Sequence, residues 1–270
     1  IHRTMMAPCR SLKELLAPFR FSRVLLLITE LFLLVLYSAM LSASSEVLLR
    51  IFNINRFAGT LITAAAVTLI ILKGYNSISD LSEVLFIPIV IIIFIISLTS
   101  TEKSVTIPPP TVIDTKAFLS PVIYVSYNML TTIPLLITIP DKYMYRNCGN
   151  QVGIVIFILS AMLIMPLYTH YSDISSSTLP LMELLNGRIK YLYEVLLMLA
   201  IFSTAVSAGY ALLHSSKNTG TVKSALFINF TAVIISFLGF NTIVNKVYFI
   251  FGIAGILLFA VLFLPSKIKQ

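Results

Sequence analysis

The residues best suited to chemistry cluster in one apolar stretch, Lys116 to Asp141, which reads KAFLSPVIYVSYNMLTTIPLLITIPD. Tyr124, Ser126, Tyr127, Asn128, Thr131 and Thr132 place hydroxyl and amide groups in its middle, between Pro121 and Pro134. The stretch is long enough to cross a bilayer, so these groups fall at membrane depth. Each proline removes a backbone donor and crowds the carbonyl four residues back. In hydrocarbon a freed backbone group must find a partner or line a cavity. Two arrangements answer that demand. One is a discontinuous helix over 117–139 with a solute site at its break. The other is a proline-kinked helix whose polar side chains bond only to neighbouring helices.

Ionisable residues inside apolar spans are the next candidates, because charge at the bilayer centre costs ~3 kcal/mol or more. Glu30 lies about two turns into its segment, Lys246 about one turn into its own, and Glu194 near the start of a third. Glu30 has the chemistry of a proton carrier. Its plainer role is a snorkelling carboxylate, or one paired with a lysine such as Lys73. Lys246 and Glu194 read as interfacial residues. A third cluster lies in LAIFSTAVSAGYALL, where Ser203, Thr204, Ser207 and Gly209 are small or hydroxylated. Ser203 and Ser207 are four apart and share a helix face. Their hydroxyls suit a cation site, or tight helix packing with each hydroxyl bonded to its own helix. Ser38, Ser42 and Ser45, with Ala39 and Ala43, form a similar small face read as packing.

Enzyme chemistry is nearly absent. His2, His170 and His214 lie far apart at segment ends, and no HExxH, glycine-rich phosphate loop or CxxC pair occurs. No serine is flanked as a nucleophile would be. The expectation is a chain that is not an enzyme and carries no cofactor.

The elements that hold these residues are membrane spans. Of 270 residues 58% are hydrophobic and 11% charged, with mean hydropathy +0.96, against about 25% charged residues in soluble domains. The lipid bilayer is therefore the first partner. A β-barrel would show alternating ten-residue segments, and none appear. Eight segments of the length a ~30 Å hydrocarbon core requires run over about 24–45, 57–72, 81–98, 117–139, 152–169, 191–213, 222–240 and 243–264. Before them, residues 1–21 form an amphipathic, basic lead-in, with SLKELLAPF as a short surface helix broken at Pro18. Together they make one transmembrane domain over 1–270. Two connections stand out. Residues 99–116 hold Pro108-Pro109-Pro110, a stiff spacer. Residues 170–190 suit a short helix capped at Ser177 or Thr178 and ended by Gly187.

The net charge of +8 is spread through short loops and is no nucleic-acid signal. It reads as orientation. With the start of the chain cytoplasmic, twelve of the 19 Lys and Arg fall inside, which places both termini there. Cys9 and Cys148 are too few for a disulfide framework and fall on the cytoplasmic side, where thiols stay reduced.

The pieces SPVIYVSYNML, KGYNSISDLSEVLFIPIVIII, LPLMELLN and LAIFSTAVSAGYAL, in their positions along the chain, resemble the uncharacterised bacterial YkvI-like membrane proteins. Those are similar to distant relatives of the amino acid–polyamine–organocation transporters, which share the LeuT-type inverted-repeat fold. The resemblance runs from about residue 10 onward. It implies that the stretch at 117–139 is the sixth core helix, so the eight segments are core helices three to ten. The first two core helices are then expected before Ile1, and the chain is expected to be N-terminally truncated. The break maps onto Tyr124, Val125, Ser126, Tyr127 and Asn128, without the glycine that usually marks it. The sixth segment becomes core helix eight, where sodium-using relatives place hydroxyl ligands, and Ser203, Thr204 and Ser207 match by position.

The fold expected is thus an all-α polytopic membrane protein, a LeuT-type bundle lacking its first two core helices. The function expected is secondary transport of a small solute, an amino acid or related organic cation, across a bacterial inner membrane. Its substrate residues are Tyr124, Ser126, Tyr127, Asn128 and Thr131, with Na+ or H+ as coupling ion. The alternatives are a non-transporting solute sensor on the same fold, like a germinant-receptor subunit, or an inactive fragment. Substrate and oligomeric state are left open.

Overall fold

A computed structural model describes residues 11–19, 21–99, 115–139, 148–170, 181, 184–215 and 222–263, with side chains at all of these except 115–118, 148, 245–249, 259 and 261–263. Among the described residues the chain forms nine helices and no strand. They are α1 (Leu12–Leu16), α2 (Ser22–Phe52), α3 (Arg56–Leu72), α4 (Tyr75–Thr99), α5 (Thr115–Ile137), α6 (Cys148–Thr169), α7 (Gly187–Leu213), α8 (Val222–Ser236) and α9 (Phe240–Phe263). Helices α2 to α9 overlie the eight apolar segments in order. Five of them, α2, α4, α5, α6 and α7, are long and apolar enough to cross a membrane, and α3 and α8 are shorter apolar helices. The chain is an all-helical, polytopic membrane protein.

Local chemistry sets the helix ends. Ser11 caps α1 by accepting from the Glu14 backbone N–H at 3.3 Å. A turn at Ala17–Pro18 follows, as the proline requires. Asn53 closes α2 in the left-handed conformation, φ 55°, a conformation asparagine tolerates better than most residues. Three residues later α3 has begun, so α2 and α3 form a hairpin. Of the sequence-predicted helix before Gly187, Leu181 and Leu184 are helical, the Leu185 N–H bonds to the Leu181 carbonyl, and Gly187 has φ 59°. Its cap at Ser177 or Thr178, and the triple-proline spacer, lie outside the described residues.

The chain divides into two compact units. The first comprises Ile1–Ser79, Asp114–Met144 and Ile201–Gln270, and the second Asp80–Ile113 and Tyr145–Ala200. In the first unit α2 is the hub. It packs against α1, α3, α5, α8 and α9, and its Phe32, Leu33, Tyr37 and Leu41 are fully buried. Leu12 and Leu16 seat α1 on it. The small face of α2 is a packing face, as expected: Ser38, Ala39, Ser42, Ala43 and Ser45 are all buried. A Cβ on Gly59 would lie 3.2 Å from the Ser45 Cα, so α3 approaches α2 closely there. Lipid is as apolar as leucine, so contacts of this kind, with hydrogen bonds, hold helices together in a bilayer.

In the second unit Ile92, Ile93 and Ile96 of α4, Tyr193 and Leu196 of α7, and Leu181 and Leu185 form the buried cluster, with Leu159, Met162 and Leu163 of α6 against it. Most of α6 faces outward, Phe157 at 74% exposure. That suits a lipid-facing surface.

Candidate functional site

The polar stretch corrects one expectation. α5 is a single helix from Thr115 to Ile137, with Pro121 and Pro134 inside it, and residues 117–139 are not broken at their centre. The reason is local satisfaction of the polar groups. Between the prolines every residue from Val122 to Ile133 keeps its own N–H. The Ser126 hydroxyl donates to the Val122 carbonyl at 2.6 Å, the Asn128 amide to the Tyr124 carbonyl at 2.7 Å, and the Thr132 hydroxyl to the Asn128 carbonyl at 2.9 Å. Each side chain bonds one turn back on its own helix. With no glycine in the helix, nothing favours unwinding.

The five sequence-predicted substrate residues do not share one face. Tyr124, Tyr127, Asn128 and Thr131 are spaced i, i+3, i+4, i+7 and form one stripe. Tyr124 is 61% exposed, and Tyr127, Asn128 and Thr131 are half-buried. The Tyr124 and Tyr127 rings meet edge to face, centroids 5.2 Å apart, and Tyr127 reaches Phe32 of α2 at 6.4 Å. Ser126 lies on the other side of α5, buried with Leu130, Ile133 and Ile137. There α5 packs on α9 through two glycines. A methyl group on Gly252 would overlap the Ile123 side chain, and one on Gly255 would overlap the Ser126 carbonyl. Ser126 is thus part of a helix contact and does not join the stripe.

Ser203, Thr204 and Ser207 are half-buried on α7, and with no break in α5 they have none to face. Beside them Ala205, Val206, Ala208 and Gly209 are buried, and Gly209 lies against Val67, Tyr37 and Ile71. This turn of α7 packs through small residues against α2 and α3.

The best-connected polar group was not among the sequence candidates. The Tyr37 hydroxyl of α2 donates to the Asn229 Oδ1 of α8 at 2.5 Å. The Asn229 amide donates to Thr68 Oγ1 of α3 at 2.6 Å and to the Ala225 carbonyl at 2.9 Å. Thr68 donates onward to the Ala64 carbonyl at 2.6 Å. Three helices are tied at one point, with Tyr37 fully buried and Asn229 8% exposed. The signal that could have found it is an amide in the otherwise apolar run ALFINF.

Glu30 accepts from the Ser215 hydroxyl at 2.6 Å, and Lys223 lines the same cavity. Ser215 follows the end of α7, and Lys223 lies in the first turn of α8. Glu194 is half-buried on α7, and the Lys246 side chain lies outside the described residues. His214 stacks on Tyr210 at 4.1 Å, and His170 is buried at the end of α6, its Nδ1 3.1 Å from the Pro166 carbonyl. Neither forms part of a cluster of three metal-ligating side chains among the described residues.

Comparison with protein-family models, with curated proteins and with solved structures finds no match to this chain.

Proposed function

We propose that this chain is a secondary transporter of a small solute, an amino acid or related organic cation, in the cell membrane. The observation that carries this reading is the stripe of Tyr124, Tyr127, Asn128 and Thr131 along α5. It is partly exposed at the middle of a helix apolar enough to span, and α5 is the least hydropathic of the five such helices. Polar side chains kept at membrane depth mark solute paths more often than lipid-facing surface. Two aromatic rings offer a cover for an apolar or cationic group, and Asn128 offers an amide. We place the chain, on its short motifs, with the YkvI-like relatives of the amino acid–polyamine–organocation transporters and their LeuT-type fold. If sodium couples transport, Ser203, Thr204 and Ser207 are the hydroxyls we assign to it.

A solute sensor that binds without moving its ligand is the second reading. The unbroken α5 favours it, since a continuous helix lacks the hinge on which a broken one rocks. The test is uptake of labelled amino acids and polyamines into proteoliposomes, with Na+ and H+ gradients imposed in turn. Saturable uptake that falls at least tenfold in Asn128→Leu supports transport at this stripe. Saturable binding without uptake supports the sensor, and neither uptake nor binding overturns both.

A further inference from the structure

Glu30, Ser215 and Lys223 come from three separate helices or their ends, and they meet around one cavity of about 430 Å3. That volume falls in the ~300–1,000 Å3 range of small-ligand clefts. Leu212, Phe227 and Ile228 supply apolar wall. The Ser215 hydroxyl, itself 4% exposed, is shared between Glu30 Oε1 at 2.6 Å and the Leu212 carbonyl at 3.0 Å. It holds the carboxylate in place from one side and leaves the second oxygen, Oε2, for another donor.

Among the described residues no ion pair closes between the Glu30 carboxylate and the Lys223 ammonium, although both line this cavity. Glu30 is half-buried and Lys223 exposed, so the two opposite charges line one space without meeting. A ligand that carries both signs can pair with each of them. Lys223 also sits in the first turn of α8, where the helix dipole favours an anion.

We infer that this cavity binds a primary-ammonium zwitterion. Its ammonium donates to Glu30, its anionic group lies against Lys223 and the start of α8, and its carbon body packs on Leu212, Phe227 and Ile228. A free amino acid and a phosphatidylethanolamine headgroup share this chemistry. A choline headgroup does not, because its quaternary nitrogen has no hydrogen to donate. The inference does not rest on transport: equilibrium binding without flux satisfies it.

The experiment uses the full chain, purified and delipidated in detergent. Binding of L-alanine, phosphoethanolamine and phosphocholine is titrated by calorimetry, and retention of phosphatidylethanolamine against phosphatidylcholine is read by native mass spectrometry from mixed nanodiscs. At least one primary-ammonium probe is expected to bind and phosphocholine is not. Glu30→Gln and Lys223→Met are each expected to weaken binding at least tenfold. Lys223 is exposed, so its variant keeps the test usable if Glu30→Gln fails to fold. Alanine binding alone assigns a free solute, and selective lipid retention assigns a headgroup. Failure of every primary-ammonium probe to bind overturns the inference. So does equal binding of phosphocholine, or wild-type affinity in Lys223→Met.

Discussion

A buried amide can be isolated by substitution more cleanly than any other group in this chain, because Asn229 spends both of its N–H groups and its carbonyl on named partners. Tyr37→Phe keeps the ring that fills the core of α2 and removes only the donor to Asn229. Hydrogen bonds between membrane helices average ~0.6 kcal/mol and reach ~1.7, and a buried group left without its partner costs ~1–3 kcal/mol. Tyr37→Phe should therefore lower unfolding stability by about 1 kcal/mol, and Asn229→Leu by more, since it leaves the Tyr37 hydroxyl without its acceptor and takes away the donor to Thr68. The double variant should cost less than the two singles added together, because the two residues share one bond. Thermal unfolding of the purified protein in detergent reads all three. Strict additivity would mean that the Tyr37–Asn229 bond contributes nothing. This node was not legible beforehand for a physical reason. Its three members lie in three segments, each one polar residue among several, and only packing brings Tyr37, Thr68 and Asn229 together. Glu30 was legible as a carboxylate inside an apolar span, but its partner was not, since Ser215 is one serine among many until α7 ends beside α2.

At the scale of elements, the helices were largely readable and their internal continuity was not. Apolar runs of the right length fix α2 to α9, and Asn53 and Gly187 mark turns by their backbone freedom. The prolines of α5 misled because a proline removes one backbone donor, while the identity of the residues around it decides whether the helix opens. Here Ser126, Asn128 and Thr132 bond back to their own helix and it stays closed. What α5 does need is a partner without side chains. Gly255 and Gly252 bring α9 against it, and a Cβ at Gly255 would overlap the Ser126 carbonyl. Gly255→Ala should then force the two backbones apart at a cost of ~1–3 kcal/mol, the range for overpacking a filled interface. Gly153→Ala on α6 is the matched control. Nothing lies within 4 Å of a Cβ there, and alanine is the better helix former by up to ~1 kcal/mol, so that variant should be neutral or slightly stabilised. Equal stability of the two in a side-by-side melt would show that the close approach of α5 and α9 carries no energy.

For the molecule as a whole, the arrangement of ends within the first unit bears on how the chain lies in a membrane. Glu30 in the third turn of α2, Ser215 after α7 and Lys223 at the start of α8 share one cavity, so these three helix ends lie on one side. At the other side Phe57, at the start of α3, stacks on Phe237, just past the end of α8, with centroids 6.0 Å apart. Helices that alternate direction in this way are what a chain produces when each segment crosses in turn. Counting Lys and Arg along the sequence supplies the expectation of which side is cytoplasmic. The inner set expected from that count has twelve of the 19 basic residues, Lys73, Lys142 and Arg146 among them. The expected outer set is the other seven, Arg50, Arg56, Lys103, Lys116, Arg188, Lys190 and Lys246. Short loops rich in Lys and Arg stay in the cytoplasm. With Cys9 and Cys148 replaced by serine, Lys103→Cys should react with an impermeant maleimide on intact cells. Lys142→Cys should react only after the membrane is opened. Labelling of Lys142→Cys on intact cells, with Lys103→Cys silent, would invert the orientation and put Glu30 and Lys223 on the outer face. A zwitterion would then reach their cavity from outside the cell. Labelling of both on intact cells would mean that α5 does not cross the membrane, and the stripe of Tyr124, Tyr127, Asn128 and Thr131 would lose its place at membrane depth.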